Sequence, residues 1–209
     1  MLTVCVLKDL TNERKNMKVN TNMLMALDTA TKYTGYAVFE TGPIKPPSAQ
    51  LRNYGIFKAT SKDWETRCLE MSSKISNIIR SVKPGILVQE FPYFQAGTKG
   101  MAASRSGGTL ELAYLCGRIS VCWESYCAKV LADTGVTFYP VYNIKYNKWN
   151  GQLTKEITCH RCKEFFDIDA KPKSIENNYA DAIMMGKWFI ENETSTKMMK
   201  SNSAKRVDI

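Results

Sequence analysis

The chain has 209 residues, 44% of them hydrophobic and 23% charged, and its 29 Lys and Arg against 20 Asp and Glu give a formal charge of +9. These values exclude a wholly disordered, collagen-like or coiled-coil chain and leave a single well-buried domain as the default. The positive excess calls for a polyanionic partner, and because the basic residues are dispersed, with no run of five or more, nucleic acid is favoured over an acidic membrane surface.

Residues 1–22 carry a polar cluster, Thr11 to Asn16, without a clear period, and read as an N-terminal arm. The apolar start, Leu2 to Leu7, is too short for a signal-peptide core, and no stretch reaches the roughly 18 apolar residues that span a bilayer. A soluble, cytoplasmic protein is expected. The seven cysteines, Cys5, Cys68, Cys116, Cys122, Cys127, Cys159 and Cys162, form an odd set without disulfide-scaffold spacing and are expected to be free thiols.

The domain proper, residues 23–190, opens with Met23 to Leu27, a buried-strand pattern, and Gly35 to Phe39 follows closely enough to pair with it antiparallel. The turn-rich segment Gly42 to Ser48 leads to a third strand over Leu51 to Ala59. Asp63 is a helix cap, and Trp64, Cys68, Met71, Ile75, Ile78 and Ile79 recur at helical spacing up to a stop at Lys83-Pro84-Gly85. Ile86-Leu87-Val88 is too apolar for an edge strand and reads as central. A Gly/Ser/Lys/Arg loop, Gln95 to Gly108, precedes a helix from Thr109 to Leu131 and a strand from Val136 to Tyr142. Helices over Thr154 to Phe166 and Asn177 to Ile190 complete the domain, and residues 191–209 form a polar tail. Strands followed by alternating helix and strand make a mixed five-stranded α/β sheet with helices on its faces.

Three acids stand where the pattern is otherwise apolar. Asp28 ends the first strand before a small-residue turn, Glu90 directly follows the central strand, and Asp181 lies within Ala180-Asp181-Ala182. A charge so close to core positions is costly unless it is paired or holds a cation, so acids from three distant segments point to a shared site, and hard oxygen ligands select Mg²⁺ or Mn²⁺. Taken singly each acid has a plainer reading: Asp28 as a turn terminator, Asp181 as a helix-face acid paired with a lysine. Cys159-His160-Arg161-Cys162 looks like half a zinc site, but no second pair follows at finger spacing and the segment keeps a helical period. The basic loop Lys99 to Arg105 reads either as solvated surface or, following Glu90, as a contact to a nucleic-acid backbone.

Leu27-Asp28 through Gly35-Tyr36, Val88-Gln89-Glu90 with Tyr93 three residues on, Gly151-x-x-x-Lys155-Glu156 and Ala180-Asp181-Ala182, in this order and with Leu112 to Gly117 between them, resemble the RuvC Holliday junction resolvases of the RNase H-like nuclease superfamily. The resemblance runs from about Met23 to Ile190. It implies an RNase H-like fold, a homodimer, binding to four-way DNA junctions, and nicking of two strands with Mg²⁺, two ions per site. It further implies that Asp28, Glu90 and Asp181 are metal ligands and that Lys155 is the basic residue near the scissile phosphate. The family's fourth metal-binding position, three residues before the last Asp and usually Asp or His, is here Asn178, whose side-chain carbonyl can still offer an oxygen. Lys145 and Lys148 are alternatives to Lys155 and candidate DNA contacts, as are Lys99 and Arg105. Tyr93 and Phe94 are core aromatics or bases' stacking partners. The arm, the Pro-rich segment and the tail lie outside the match, and this divergence fits a phage or viral member acting in a host cytoplasm.

Two ions roughly 3.5 to 4 Å apart can supply the activated water and the stabilised leaving oxygen that phosphodiester hydrolysis requires. The reading is therefore a metal-dependent, structure-selective endonuclease. A non-catalytic DNA-binding relative of the same fold is the alternative that Asn178 allows. A phosphotransferase of the actin and sugar-kinase type shares the Asp-x-x-x-x-x-x-Gly loop but needs two such halves and about twice the length.

Overall fold

A computed structural model of the protein describes residues 20–41, 49–92, 107–138, 140–151 and 153–193. Its five strands are β1 (Asn20–Asp28), β2 (Tyr33–Thr41), β3 (Ala49–Lys58), β4 (Pro84–Glu90) and β5 (Tyr142–Ile144). Its helices are α1 (Trp64–Val82), α2 (Gly108–Thr134), α3 (Tyr146–Trp149), α4 (Lys155–Phe166) and α5 (Asn177–Glu193). The sheet order is β3-β2-β1-β4-β5, with β1, β2 and β3 an antiparallel meander and β4 parallel to both β1 and β5. The mixed five-stranded sheet flanked by helices is the architecture expected.

Both faces of the sheet are covered, which is why β1 reads as a continuous apolar run. Leu24 and Ala26 face a core built with Phe39, Val88, Cys162, Ala182, Ile183 and Phe189, the α4 and α5 side. Met25 and Leu27 face the other core, with Cys68, Met71, Ile75, Leu115, Ile119 and Trp123 from α1 and α2. Alternate residues of a strand point to opposite faces, so a strand buried on both cannot show polar alternation. Gln89 is fully buried within β4; its side-chain N–H groups donate to Asn143 Oδ1 at 2.7 Å and to the Cys116 carbonyl at 3.4 Å, while its Oε1 has no hydrogen-bond partner.

The Asp63 carboxylate caps α1 by accepting from the Thr66 N–H at 2.8 Å, as read from the sequence. The helix ends after Val82 as expected: Lys83 takes the left-handed conformation (φ 54°), and Pro84 and Gly85 already belong to β4. β1 opens at Asn20, three residues before the expected boundary at Met23. The expected strand over Val136 to Tyr142 is a correction. Phe138 and Val141 do pack into the core beside Trp123, but without a sheet ladder, and β5 is only Tyr142–Ile144. Its pairing with β4 begins at Val88↔Tyr142. The described cysteines are all free thiols, and Cys159 and Cys162 are buried on α4.

Candidate active site at the strand ends

Asp28 and Glu90 are the last residues of neighbouring parallel strands. The register pairs Leu27 with Gln89, so the two acids lie one residue further along, side by side at the carboxyl end of the sheet. This is where open α/β sheets leave a crevice for ligands. In the turn between β1 and β2 the Thr34 hydroxyl donates to the Ala30 carbonyl at 2.6 Å and accepts from the Ala30 N–H at 3.1 Å, fixing the chain just beyond Asp28.

The β1–β2 register also brings in the third acid. Asp28 pairs with Gly35. A Cβ on Gly35 would stand 1.9 Å from the Asn178 carbonyl oxygen, so only a glycine lets the first turn of α5 settle on this strand. Gly186 repeats the device two turns on, where a Cβ would meet the Phe39 ring at 2.4 Å. Asp181 is thereby buried with 1% exposure on the site side of α5. The Lys155 ammonium forms an ion pair with one of its carboxylate oxygens, and the other, Oδ1, has no hydrogen-bond partner.

Burial pushes the Asp28 carboxyl up to about 6, against the pull of Lys155. Burial pushes the Glu90 carboxyl up further, to about 8, and the neighbouring Asp28 charge adds to the rise. The indole N–H of Trp149, donating to Glu90 Oε2 at 3.1 Å, and the charge of Lys155 act in the opposite direction. Lys155, the first residue of α4, thus acts on all three acids, and its ammonium also stands 5.8 Å from the centre of the Tyr146 ring. The Tyr146 hydroxyl is itself raised, by burial first and then by Glu90 and Asp28.

Of the residues singled out in the sequence, Asp28, Glu90, Asp181 and Lys155 converge. Asn178 lies in the first turn of the same helix as Asp181 and is half-buried, with its backbone carbonyl against Gly35. Lys145 precedes the short helix α3 and Lys148 lies within it; both are exposed, Lys148 with its ammonium 5.4 Å from the centre of the Trp188 ring. Tyr93, Phe94, Lys99 and Arg105 lie outside the described residues. Sequence reasoning missed Trp149 and Tyr146. The signal available was an aromatic pair in the turn between the last strand and Lys155, a pattern without a characteristic spacing.

Among the described residues no three Asp, Glu, His or Cys side chains close round a point as a metal site does. The expected ligand set is therefore not drawn together as a ready cage, and Lys155 stands against Asp181. The donor chemistry nevertheless fits a divalent cation. The Asp28 charge raises the cost of ionising Glu90 at the adjacent strand end, and Oδ1 of the buried Asp181 has no hydrogen-bond partner; a bound cation would relieve both. Asp28, Glu90 and Asp181 would hold such an ion.

No protein-family model matches the sequence, and no curated protein does. Solved structures do match. RuvC of Thermus thermophilus aligns with a TM-score of 0.54 at 12% identity, over 80% of this chain and 94% of that one. The T. thermophilus RuvC in complex with Holliday junction substrate gives 0.52 at 15% identity over the same shares. The yeast mitochondrial Holliday junction resolvase gives 0.56 at 12% identity, over 88% of this chain and 86% of that one. At these identities the likeness is one of architecture, and the chain has the RNase H-like fold of the RuvC-type resolvases.

Proposed function

We propose that this protein is a divalent-metal-dependent endonuclease that nicks four-way junctions and related branched DNA, acting as a homodimer. One observation carries the reading: two buried acids at adjacent strand ends, Asp28 opposing the ionisation of Glu90, with the buried Asp181 carboxylate and the Lys155 ammonium paired beside them, in a fold shared with Holliday junction resolvases. In this reading Asp28, Glu90 and Asp181 hold Mg²⁺ or Mn²⁺, two ions per site, with Asn178 able to offer a further oxygen. Such ions, when bound, activate water and stabilise the leaving oxygen of a phosphodiester. Lys155 supplies a fixed positive charge at the scissile phosphate.

The net charge of +9 supports a polyanionic substrate. Lys145 and Lys148, exposed beside the site, and Lys99 and Arg105, which follow Glu90 in the sequence, are assigned to the DNA backbone. Tyr93 and Phe94 are assigned to an opened base step. Support for a dimer comes from α2, which exposes Leu110, Tyr114, Val121 and Leu131, the first at 70% and Val121 at 61%. Their spacing keeps them on one stripe of the helix, an apolar face of the kind that homodimers bury. A two-fold pair of sites would match the two symmetry-related nicks that a four-way junction requires.

The test is incubation with synthetic four-way junctions, flaps and linear duplex in Mg²⁺, beside Asp28→Asn, Glu90→Gln and Asp181→Asn. Paired nicks in the junction by wild type, and binding without cleavage by all three variants, are expected, because loss of a ligand disables the ions without deleting the basic surface. A variant that cleaves at the wild-type rate removes that residue from the site. Junction binding by wild type without cleavage in either metal would establish the alternative that Asn178 allows, a DNA-binding relative without catalysis.

A further inference from the structure

The side chain that organises Glu90 is one that neither the spacing of the acids nor the fold identifies. Trp149 closes α3, the four-residue helix between β5 and α4, and its ring is buried with 7% exposure in the core beneath α5. An indole has a donor and no acceptor, so a buried tryptophan must find an oxygen for its N–H. Here that oxygen is Oε2 of Glu90. The ring itself is fixed: Tyr146 packs edge-on against it at 5.4 Å between centroids, and the buried Asn150 side chain ties the Tyr146 hydroxyl to the end of the same helix.

The need for such a brace follows from the side chain it holds. Glu90 has one more rotatable bond than Asp28, and at the end of β4 its carboxylate is only partly enclosed. We propose that Trp149 is a positioning residue, whose indole N–H holds the Glu90 carboxylate in the orientation from which it takes a divalent cation. This rests on the reading of Glu90 as a metal-site acid. Partners that orient a ligand from behind in this way usually matter nearly as much as the ligand. The β5–α4 connection then contributes twice to the site: Trp149 braces Glu90, and the face of Tyr146 lies beside the ammonium of Lys155.

The plainer reading, that Trp149 only fills the core, makes different predictions. Trp149→Phe keeps an aromatic ring and removes the donor. Mn²⁺ affinity, measured by calorimetry or electron paramagnetic resonance on the full chain without DNA, is expected to fall by roughly 10- to 100-fold, while junction binding in EDTA stays within about twofold of wild type. Trp149→Gln removes more of the packed ring but keeps an N–H donor and brings no imidazole that could itself ligate Mn²⁺, so recovery of affinity over Trp149→Phe supports the hydrogen bond. An equal or greater loss in Trp149→Gln assigns the effect to packing and overturns the proposal, a comparison that holds even if both variants are less stable. Adding Trp149→Phe to Glu90→Gln should change Mn²⁺ affinity no further, since the brace then has no carboxylate to hold. Wild-type Mn²⁺ affinity in Trp149→Phe, with affinity lost in Glu90→Gln, refutes the brace alone. Wild-type affinity in Glu90→Gln refutes the metal reading of Glu90, and the brace with it.

Discussion

Replacing Asp28 by asparagine is expected to make the metal-free protein more stable at alkaline pH while removing its activity. The native Asp28 carboxyl is raised from 3.8 to about 6, chiefly by burial. Between those values the native state holds a proton that the unfolded chain has released, so stability falls as pH rises through that window and stays low above it. At about 1.4 kcal/mol for each tenfold step in the proton equilibrium, the upper bound on the cost at pH 8 is roughly 3 kcal/mol. Asp28 keeps some solvent contact and Lys155 offsets part of its charge, so a gain of roughly 1–3 kcal/mol is a fair expectation for Asp28→Asn. For a chain of this size that is an increase in Tm of roughly 2–10 °C. Near pH 4 the native carboxyl is protonated and the gain should vanish. The assay is thermal unfolding of wild type and variant in EDTA at pH 4, 6 and 8, repeated with Mg²⁺. A metal at a hundredfold excess over its Kd adds about 2.7 kcal/mol to wild type, and little to the variant, so the metal should cancel or reverse the order of stabilities at pH 8. An Asp28→Asn protein no more stable than wild type at pH 8, or stabilised equally at every pH, would refute the account of Asp28 as a carboxylate whose ionisation the fold resists.

Three further outcomes follow from particular contacts. Lys155→Ala should lower the single-turnover cleavage rate with little change in junction affinity, since a charge at the reacting phosphate acts on the transition state; a change in affinity alone would transfer the role to Lys145 or Lys148. Gly35→Ala should cost more than about 2 kcal/mol in denaturant unfolding, because the obstacle at 1.9 Å is helix backbone and cannot rotate aside; near-wild-type stability would mean that α5 does not rest on β2 there. Val121→Asp should leave folding intact and shift the protein from dimer to monomer in sedimentation at micromolar concentration, and an unchanged dimer would move the interface off this face of α2.

The parts of the fold that the sequence displays are those governed by local rules. The meander is legible because Met23 to Leu27 and Gly35 to Phe39 are short apolar runs separated by a turn, and α1 because Asp63 caps a clear helical period. β4 is legible because three consecutive apolar residues before Gln89 need cover on both faces. The failures share a different cause. Phe138 and Val141 carry a strand-like alternation, yet burial against Trp123 and Tyr126 satisfies them without a ladder. α3 is a single turn, shorter than any period can reveal, so Trp149 and Tyr146 could not be placed beside Glu90 from spacing. Gly35 looks like an ordinary strand glycine. Its requirement comes from a helix more than 140 positions later.

That distant contact explains why the acids meet where they do. Strand register alone brings Asp28 beside Glu90, but it does nothing for Asp181, whose helix could lie anywhere along the β1–β2 face on hydrophobic grounds. Two glycines, Gly35 and Gly186, remove that freedom by allowing α5 to approach at two points of one strand, β2: Gly35 against the helix's first turn, Gly186 over the Phe39 ring. Because Gly35 is paired with Asp28, the point that fixes the helix also fixes the separation of the first and third acids. The result is a cluster of three carboxylates and one ammonium, incompletely neutralised whenever Asp28 and Glu90 are ionised. The fold tolerates it through raised proton affinity and the Lys155 contact, both of which a divalent cation would displace. The close packing that makes ionisation of the cluster unfavourable is thus the same packing that would offer a cation oxygen donors from three separate elements.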